Sequence, residues 1–227
     1  MNALVGGGTL ITFPTLVALG VPPVAANMTN TVALCPGYFG GAYAQREGLT
    51  GQRHRLPVLL AAGAAGGLAG ALLLRLTSDD GLRRAVPALL AVATLLLGLQ
   101  PRLRGWLGRH AASAERPDAV WLAPVIGLVA VYGGFFGAGL GVMLLAVLGL
   151  GVHEPLNRSN VLKQVLSLTI NVVAALFFVF SGKVWWSLVA VMAVGSWLGG
   201  SVGGRVADRL NPERFRIVVV VVGAAVA

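Results

Sequence analysis

Long apolar runs separated by short charged stretches dominate this sequence and leave it little choice of fold. A helix of about 20 apolar residues spans the roughly 30 Å hydrocarbon core of a bilayer. With 17 basic and 8 acidic residues among 227, the chain has too few charges to cover the surface of a soluble globule. It is therefore predicted to be an all-α, polytopic integral membrane protein with seven or eight helices. The apolar runs cover residues 4–20, 22–45, 56–76, 85–99, 119–151, 156–181, 184–204 and 215–227.

The run 119–151 is too long for one crossing and is interrupted by glycines. Its 33 residues would form a helix of about 50 Å, and five glycines fall within residues 133–141. Because glycine weakens a helix, we expect two shorter helices joined by an irregular link. Such a link is tolerated at membrane depth where it is buried in protein or lines a wet cavity. The stretch from Gly6 to Pro14 has the same character.

The basic residues predict how the chain is oriented, because loops rich in Arg and Lys remain in the cytoplasm. If the run 119–151 crosses the membrane once, 8 basic residues fall inside and 9 outside, which is no bias. If it crosses twice or not at all, 13 fall on the side of loops 46–55 and 100–118, and 4 on the other. The second arrangement is the predicted one, and it agrees with a broken helix.

The two halves of the chain resemble each other at an offset of about 131 residues. Gly8 corresponds to Gly139, and the triplet 20–22 corresponds to the triplet 151–153. Equivalent loops then lie on opposite sides, as in the inverted repeats of secondary transporters, which bind substrate near the bilayer midplane. The expected organisation is a first repeat over residues 1–100, a cytoplasmic linker over 101–118 and a second repeat over 119–227, whose last helix, 215–227, is short.

Groups that could perform acid–base chemistry are almost absent from the predicted spans. No Asp or Glu lies in the middle of a span, no nucleophile–base pair is visible, and the only cysteine, Cys35, belongs to no metal-ligand spacing. The net charge of +9 is scattered among apolar runs and makes no basic domain. We therefore expect no enzymatic activity, no cofactor, no metal and no nucleic-acid partner.

Hydroxyl and amide side chains, with one lysine, are the polar groups that remain inside the spans. They follow the glycine-rich segments directly in both halves and share helical faces at three- and four-residue spacing. Glycine lets backbone N–H groups converge on a ligand, and the N-terminus of a half-helix favours negative charge. This pattern predicts a site for a small oxyanion. The predicted substrate-binding residues are Gly7, Gly8, Thr9, Asn27, Thr29, Asn30, Gly137, Gly139, Asn160, Lys163 and Asn171, with Thr12, Ser159, Gln164 and Ser167 as further polar residues at depth.

Helix packing is the alternative interpretation of several of these residues. Polar side chains in membrane helices often bond neighbouring helices, and this alternative applies to each Asn or Thr taken singly. Glycines at four-residue spacing are typical of close helix contacts, so we expect packing rather than ligand binding at these positions. They are Gly63, Gly66, Gly67 and Gly70 in one helix and Gly195, Gly199 and Gly203 in another.

Two sets of motifs resemble the sulfite exporter TauE/SafE family. The first set covers residues 2–14 and 20–30, and the second covers residues 134–139, 157–160 and 181–184. The resemblance implies a multi-pass permease of the bacterial inner membrane that exports sulfite, organosulfonates or related sulfur-containing anions. Two departures are that family members often carry Asp or Asn where Gly133 stands, and that the usual leading helix before the first motif is missing here.

The expected function is therefore secondary transport of such an anion, with alternating access as the hypothesis for its mechanism. The alternatives are an anion channel of the same fold and a carrier of a different small organic anion. The expected partners are the small anionic substrate and the lipid bilayer, and the sequence is compatible with a homo-oligomer.

Overall fold

Every regular element in the described part of the chain is a helix. The computed structural model describes residues 8–46, 55–110, 122–151 and 156–206. Helices α3 and α7 and the first 21 residues of α4 are long and apolar enough to cross a membrane. The predicted all-α architecture is confirmed. The helices are α1 (Gly8–Ala18), α2 (Pro23–Ala44), α3 (Leu56–Leu76), α4 (Asp79–His110), α5 (Leu122–Phe135), α6 (Leu140–Gly151), α7 (Leu156–Val179) and α8 (Trp186–Val206).

The longest apolar run is broken into α5 and α6, as predicted. The link covers residues 136–139, in which Gly137 and Gly139 have φ angles of +74° and +75°, a region that residues with a Cβ rarely adopt. The Gly137 N–H donates to the Tyr132 carbonyl at 3.2 Å, which ends α5. The Tyr132 hydroxyl donates to the Ala138 carbonyl at 2.7 Å and holds the link against α5.

Glycines bring α3 and α5 into backbone contact. A Cβ at Gly66 would overlap the carbonyl oxygen of Gly127, and a Cβ at Gly70 would overlap that of Val131. The contacts advance in the same direction along both helices, so α3 and α5 are parallel. Gly134, where we expected an irregular link, remains helical because its missing side chain lets α5 pack against the α3 backbone.

Helices α2 and α7 cross at the centre of the protein and run in opposite directions. The Asn160 side chain of α7 donates to the Gln45 side chain, next to the last residue of α2, at 3.1 Å. Near the opposite end of α2, Met28 contacts Ser181, which follows α7, at 3.5 Å. Because α2 and α7 are equivalent in the two predicted repeats, their antiparallel arrangement is the one that an inverted repeat predicts.

Two short helices, α1 and α6, begin near the middle of α2 and α7. Gly8, the first residue of α1, lines one cavity with Gly37 of α2. A Cβ at Gly133 would lie 2.9 Å from Leu140, the first residue of α6, and 3.0 Å from Ile170 of α7. With 11 and 12 residues, α1 and α6 are about 16 and 18 Å long, roughly half of a bilayer core.

The first glycine-rich segment differs from our expectation of a broken stretch. From Gly8 onward it is helical and includes Pro14 within α1. Leu10, Phe13 and Leu16 are almost completely buried there, and tertiary packing of such side chains outweighs poor helix propensity. The Phe13 ring packs edge-on against a ring of the α5–α6 link, with centroids 5.2 Å apart, so the two predicted segments are in contact.

The glycine spacing on α8 was assigned to the wrong face. Within the described part of the chain, no atom lies within 4 Å of a Cβ at Gly195 or Gly199, so neither glycine makes a close helix contact there. The neighbouring positions Ser196 and Gly200 pack against Gly37 of α2 instead, and Ser196 accepts a hydrogen bond from the Gly37 N–H at 3.1 Å. Both pairs have four-residue spacing, and only the packed structure distinguishes them.

Helix α4 extends beyond the predicted end of its span. It continues to His110, into the stretch 101–118 that we expected to be a linker. Residues 111–121 and the predicted last helix, 215–227, lie outside the described ranges.

Candidate functional site

The predicted polar residues fall into two clusters near opposite ends of α2, rather than into one central site. Eighteen positions separate Asn27 from Gln45 on α2, which corresponds to about 27 Å of helix. The physical reason is the inverted repeat, because antiparallel pairing of α2 with α7 carries equivalent residues towards opposite ends. We define the first polar cluster as Thr9, Thr12, Asn27, Thr29 and Asn30, and the second polar cluster as Gln45, Ser159, Asn160, Lys163 and Gln164.

The first polar cluster joins α1 to α2 through Asn30. The Thr12 hydroxyl donates to Oδ1 of Asn30, and Nδ2 of Asn30 donates to Oγ1 of Thr9 at 3.4 Å. The Thr12 hydroxyl also lies 3.0 Å from the Gly8 carbonyl, four residues earlier in α1. Both hydrogen-bonding ends of the buried Asn30 amide are therefore engaged within the protein.

The other members of the first polar cluster bond to distant parts of the chain. Nδ2 of Asn27 donates to the Phe135 carbonyl at the end of α5, at 2.7 Å. Oγ1 of Thr29 accepts from the Trp185 N–H at 3.1 Å, immediately before α8 begins. These bonds tie α2 to the end of α5 and to the start of α8. They agree with the alternative that polar residues in membrane helices serve helix packing.

A carboxylate already occupies the N-terminus of α2. Oδ1 of Asp79, in the first turn of α4, accepts from the Val24 N–H at 2.9 Å. This satisfies one of the backbone donors left over at a helix start and places negative charge at the positive end of the helix dipole. The end of α2 that carries the first polar cluster is thus a poor place to bind a further anion.

The second polar cluster contains a buried cation. Lys163 is 2% exposed, and Arg55, the residue that precedes α3, is 8% exposed. Arg55 lies at the same end of the protein, because Leu59, one turn further along α3, packs in one cluster with Leu162 of α7. Asp79 and Asp80 are the carboxylates of the described ranges, both at the start of α4, and neither is buried.

Among the described residues, three buried atoms of the second polar cluster have no hydrogen-bond partner, against one, Oδ1 of Asn27, in the first. The three are Oγ of Ser159 and both Nε2 and Oε1 of Gln164, and each residue is 1% exposed. A buried polar group left unsatisfied costs about 1–3 kcal/mol, so such groups are rare in native proteins and call for an explanation. Together with Lys163, they offer hydroxyl, amide and ammonium donors on adjacent turns of α7.

Asn171 lies between the two clusters, where α2 crosses α7. Its backbone carbonyl accepts a hydrogen bond from the Cys35 thiol at 3.6 Å, and its Nδ2 donates to the Ser167 carbonyl at 2.9 Å. The buried Tyr38 hydroxyl is within hydrogen-bonding reach of the Asn171 side chain. Asn171 therefore belongs to the helix crossing and not to the second polar cluster.

The predicted glycines have separate roles. Gly8 begins α1, and Gly137 and Gly139 form the left-handed positions of the α5–α6 link. Gly7 lies outside the described residues. Gly139 also sits close to α4, since a Cβ there would lie 3.4 Å from the Cα of Ala93.

Sequence reasoning missed the partners of these residues. Gln45 was the last residue of the apolar run 22–45 and Arg55 the last residue of the charged loop 46–55, so neither was singled out. The Phe135 carbonyl that accepts from Asn27 is a backbone group and leaves no trace in the sequence.

Cross-linking will test the separation of the two clusters. With Cys35 replaced by serine, we expect Gln45→Cys/Asn160→Cys to be joined by a short bifunctional thiol reagent, because the native side chains are 3.1 Å apart. The pair Asn27→Cys/Asn160→Cys will remain unlinked across about 27 Å of helix. Gel mobility after protease cleavage between the repeats measures the linkage, single-cysteine variants are the controls, and efficient linkage of the second pair would contradict the separation.

Comparison with known proteins shows the family to which this chain belongs. The family model described as sulfite exporter TauE/SafE matches residues 1–227. "Probable membrane transporter protein ORF9" of Sinorhizobium sp. is 31% identical over 235 residues, covering 100% of this chain and 85% of the relative. "Probable membrane transporter protein YfcA" of Escherichia coli K12 is 28% identical over 229 residues, covering 100% and 83%. No solved structure matches the chain. The chain therefore belongs to the sulfite exporter TauE/SafE family of membrane transporters.

Proposed function

We propose that this protein is a secondary transporter of small sulfur-containing oxyanions, such as sulfite or organosulfonates, in the bacterial inner membrane. The observation that carries the proposal is the second polar cluster. It combines the buried ammonium of Lys163 with unsatisfied hydroxyl and amide groups of Ser159 and Gln164. An oxyanion would accept hydrogen bonds from all of these donors, and charge-assisted hydrogen bonds are the strongest of them.

The two half-length helices support an anionic substrate. The N-terminus of a helix carries a partial positive charge, and α1 and α6 each begin near the middle of a central helix. Interrupted helices of this kind bind substrate in many secondary transporters. An anion leaving the second polar cluster would therefore meet favourable helix dipoles along α7.

Alternating access would use the inverted repeat. The central helices α2 and α7 belong to different repeats, and their crossing at Tyr38 and Asn171 lies between the two polar clusters. Rocking one repeat against the other would open this crossing from one end and close it from the other. The transported anion would then reach the second polar cluster from the cytoplasm and leave past the first.

The proposed orientation follows the distribution of basic residues. The reversal between α5 and α6 corresponds to the arrangement that puts 13 basic residues on one side and 4 on the other. By the positive-inside rule, the ends of α2 and α7 that carry Gln45 and Asn160 would face the cytoplasm.

Counterflow in proteoliposomes tests the function. Vesicles loaded with unlabelled sulfite are expected to accumulate labelled sulfite transiently and with saturable kinetics, since a carrier exchanges one bound anion for another. Inhibition of labelled sulfite uptake by external sulfate, thiosulfate or sulfoacetate will rank these related anions as competitors. An ohmic, non-saturating current would show that the protein is an anion channel and not a carrier. Uptake that depends on a cation and is unaffected by every sulfur oxyanion would overturn the proposed substrate class.

A further inference from the structure

A groove between α2 and α8 opens sideways near the end of the protein that carries the second polar cluster. Its volume is about 390 Å³. Three aromatic side chains form its walls. Phe39 is 59% exposed, Tyr43 57% and Trp197 53%. We call it the interfacial groove, and it is lined by Phe39, Gly40, Tyr43, Ala44, Arg46, Trp197 and Ser201.

The floor of the interfacial groove is fixed by backbone contact. A Cβ at Gly40 would lie 2.7 Å from Oγ of Ser201 and 3.2 Å from its backbone nitrogen. The two helices touch at this point, so the groove does not depend on a side-chain rotamer. The Phe39 and Tyr43 rings are stacked along one wall, with centroids 6.4 Å apart and planes inclined by 14°.

The Arg46 side chain places a cation at the mouth of the groove. The Arg46 guanidinium lies 4.2 Å from the centroid of the Tyr43 ring, and its Nη1 donates to the Tyr43 carbonyl at 3.2 Å. A guanidinium carries five N–H donors, so a second acceptor can still be bound. Arg46 is exposed and stands just beyond the end of α2, and a basic residue beside Tyr and Trp at a helix end is typical of the membrane interface.

We infer that the interfacial groove binds an anionic phospholipid, with its phosphate on Arg46 and an acyl chain along the aromatic walls. The charge of the phosphate complements the guanidinium, and the apolar walls suit hydrocarbon. The orientation of the groove towards the cytoplasmic leaflet rests on the membrane orientation proposed above. Basic residues near that leaflet attract anionic lipids by about 1 kcal/mol each, which corresponds to about a fivefold preference.

The groove also joins the two repeats, since α2 belongs to the first and α8 to the second. A lipid bound there would contact both parts that move in the proposed transport cycle. Lipid binding itself does not depend on transport, so it can be measured even if the proposed substrate is wrong.

Lipid retention by the purified protein will test the inference. We expect the wild type to retain phosphatidylglycerol over phosphatidylcholine by about fivefold in mixed micelles, measured by native mass spectrometry. Arg46→Gln will lose this preference. Arg75→Gln is the matched control, because Arg75 stands over the Phe177 ring at 5.6 Å in a similar pair elsewhere.

Two further comparisons separate lipid from other occupants. Phe39→Ala/Trp197→Ala retains Arg46 but removes apolar wall, and it is expected to weaken phosphatidylglycerol retention. Glycerol phosphate, which lacks acyl chains, should not compete at equal concentration. Equal retention of both lipids by the wild type, an unchanged preference in Arg46→Gln, or full competition by glycerol phosphate would each overturn the inference.

Discussion

Replacing Lys163 with glutamine is expected to reduce saturable sulfite counterflow by roughly 10- to 100-fold. The substitution removes the buried ammonium of the second polar cluster while keeping a polar side chain of similar length. A hydrogen bond to a charged group contributes about 1.5–3 kcal/mol, and each 1.4 kcal/mol corresponds to a tenfold change in binding. Because the lost interaction is with the substrate, the concentration for half-maximal transport should rise.

The sequence provides a matched control, since its two lysines are Lys163 and Lys183. Lys183 is exposed in the link between α7 and α8, and Lys183→Gln should leave counterflow unchanged. Lys163→Arg retains the positive charge and is expected to recover part of the transport lost in Lys163→Gln. Thermal unfolding in detergent distinguishes a binding defect from misfolding. Counterflow within twofold of wild type in a folded Lys163→Gln protein would exclude this lysine from the substrate site.

The helices themselves could be predicted from the sequence because their ends coincide with charged residues and prolines. The run 56–76 is identical to α3, and the break within 119–151 followed from its length and its five glycines. Both signals report on the bilayer, which requires apolar length. Neither signal depends on which side chains are in contact, so both can be read without knowledge of the tertiary structure.

The grouping of the polar residues could not be obtained in the same way. In the predicted inverted repeat, Asn30 of α2 corresponds to the region of Asn160 in α7. Because α2 and α7 are antiparallel, these corresponding residues lie near opposite ends of the molecule. How many polar atoms of a cluster are satisfied depends on partners such as the Phe135 carbonyl, which engages Nδ2 of Asn27 while its buried Oδ1 has no partner among the described residues. These partners come from other helices, and no local pattern announces them.

Periodicity also fails to choose between neighbouring faces of one helix. On α8, Gly195 and Gly199 have the same spacing as Ser196 and Gly200, but only the second pair contacts α2. On α3 the glycines at both registers are buried, because α5 covers one face and α7 the next. The number of neighbours around a helix therefore decides how many of its small residues are used.

The second large effect is expected at the α5–α6 link, where Gly137→Val should abolish most counterflow and destabilise the protein. Gly137 has φ +74°, and a Cβ there would lie 3.0 Å from the Gly133 carbonyl. A left-handed backbone costs a residue with a side chain about 1–2 kcal/mol, and a β-branched side chain fits it least well. The link cannot relax freely, because Phe136 is buried against Phe13 of α1.

The control for backbone strain is Gly182→Val, since Gly182 has almost the same φ, +72°, but no described atom lies within 4 Å of a Cβ placed there. Both variants force a residue with a side chain into a left-handed backbone conformation, whereas only Gly137→Val displaces the link between α5 and α6. We expect thermal unfolding of the solubilised protein to shift modestly for Gly182→Val and substantially more for Gly137→Val, with counterflow per folded molecule retained only in the former. If both glycines tolerate valine equally, the conformation of the link does not hold α6 in place. The start of α6 near Ile170 must then be fixed by the packing of its leucines against α5 and α7.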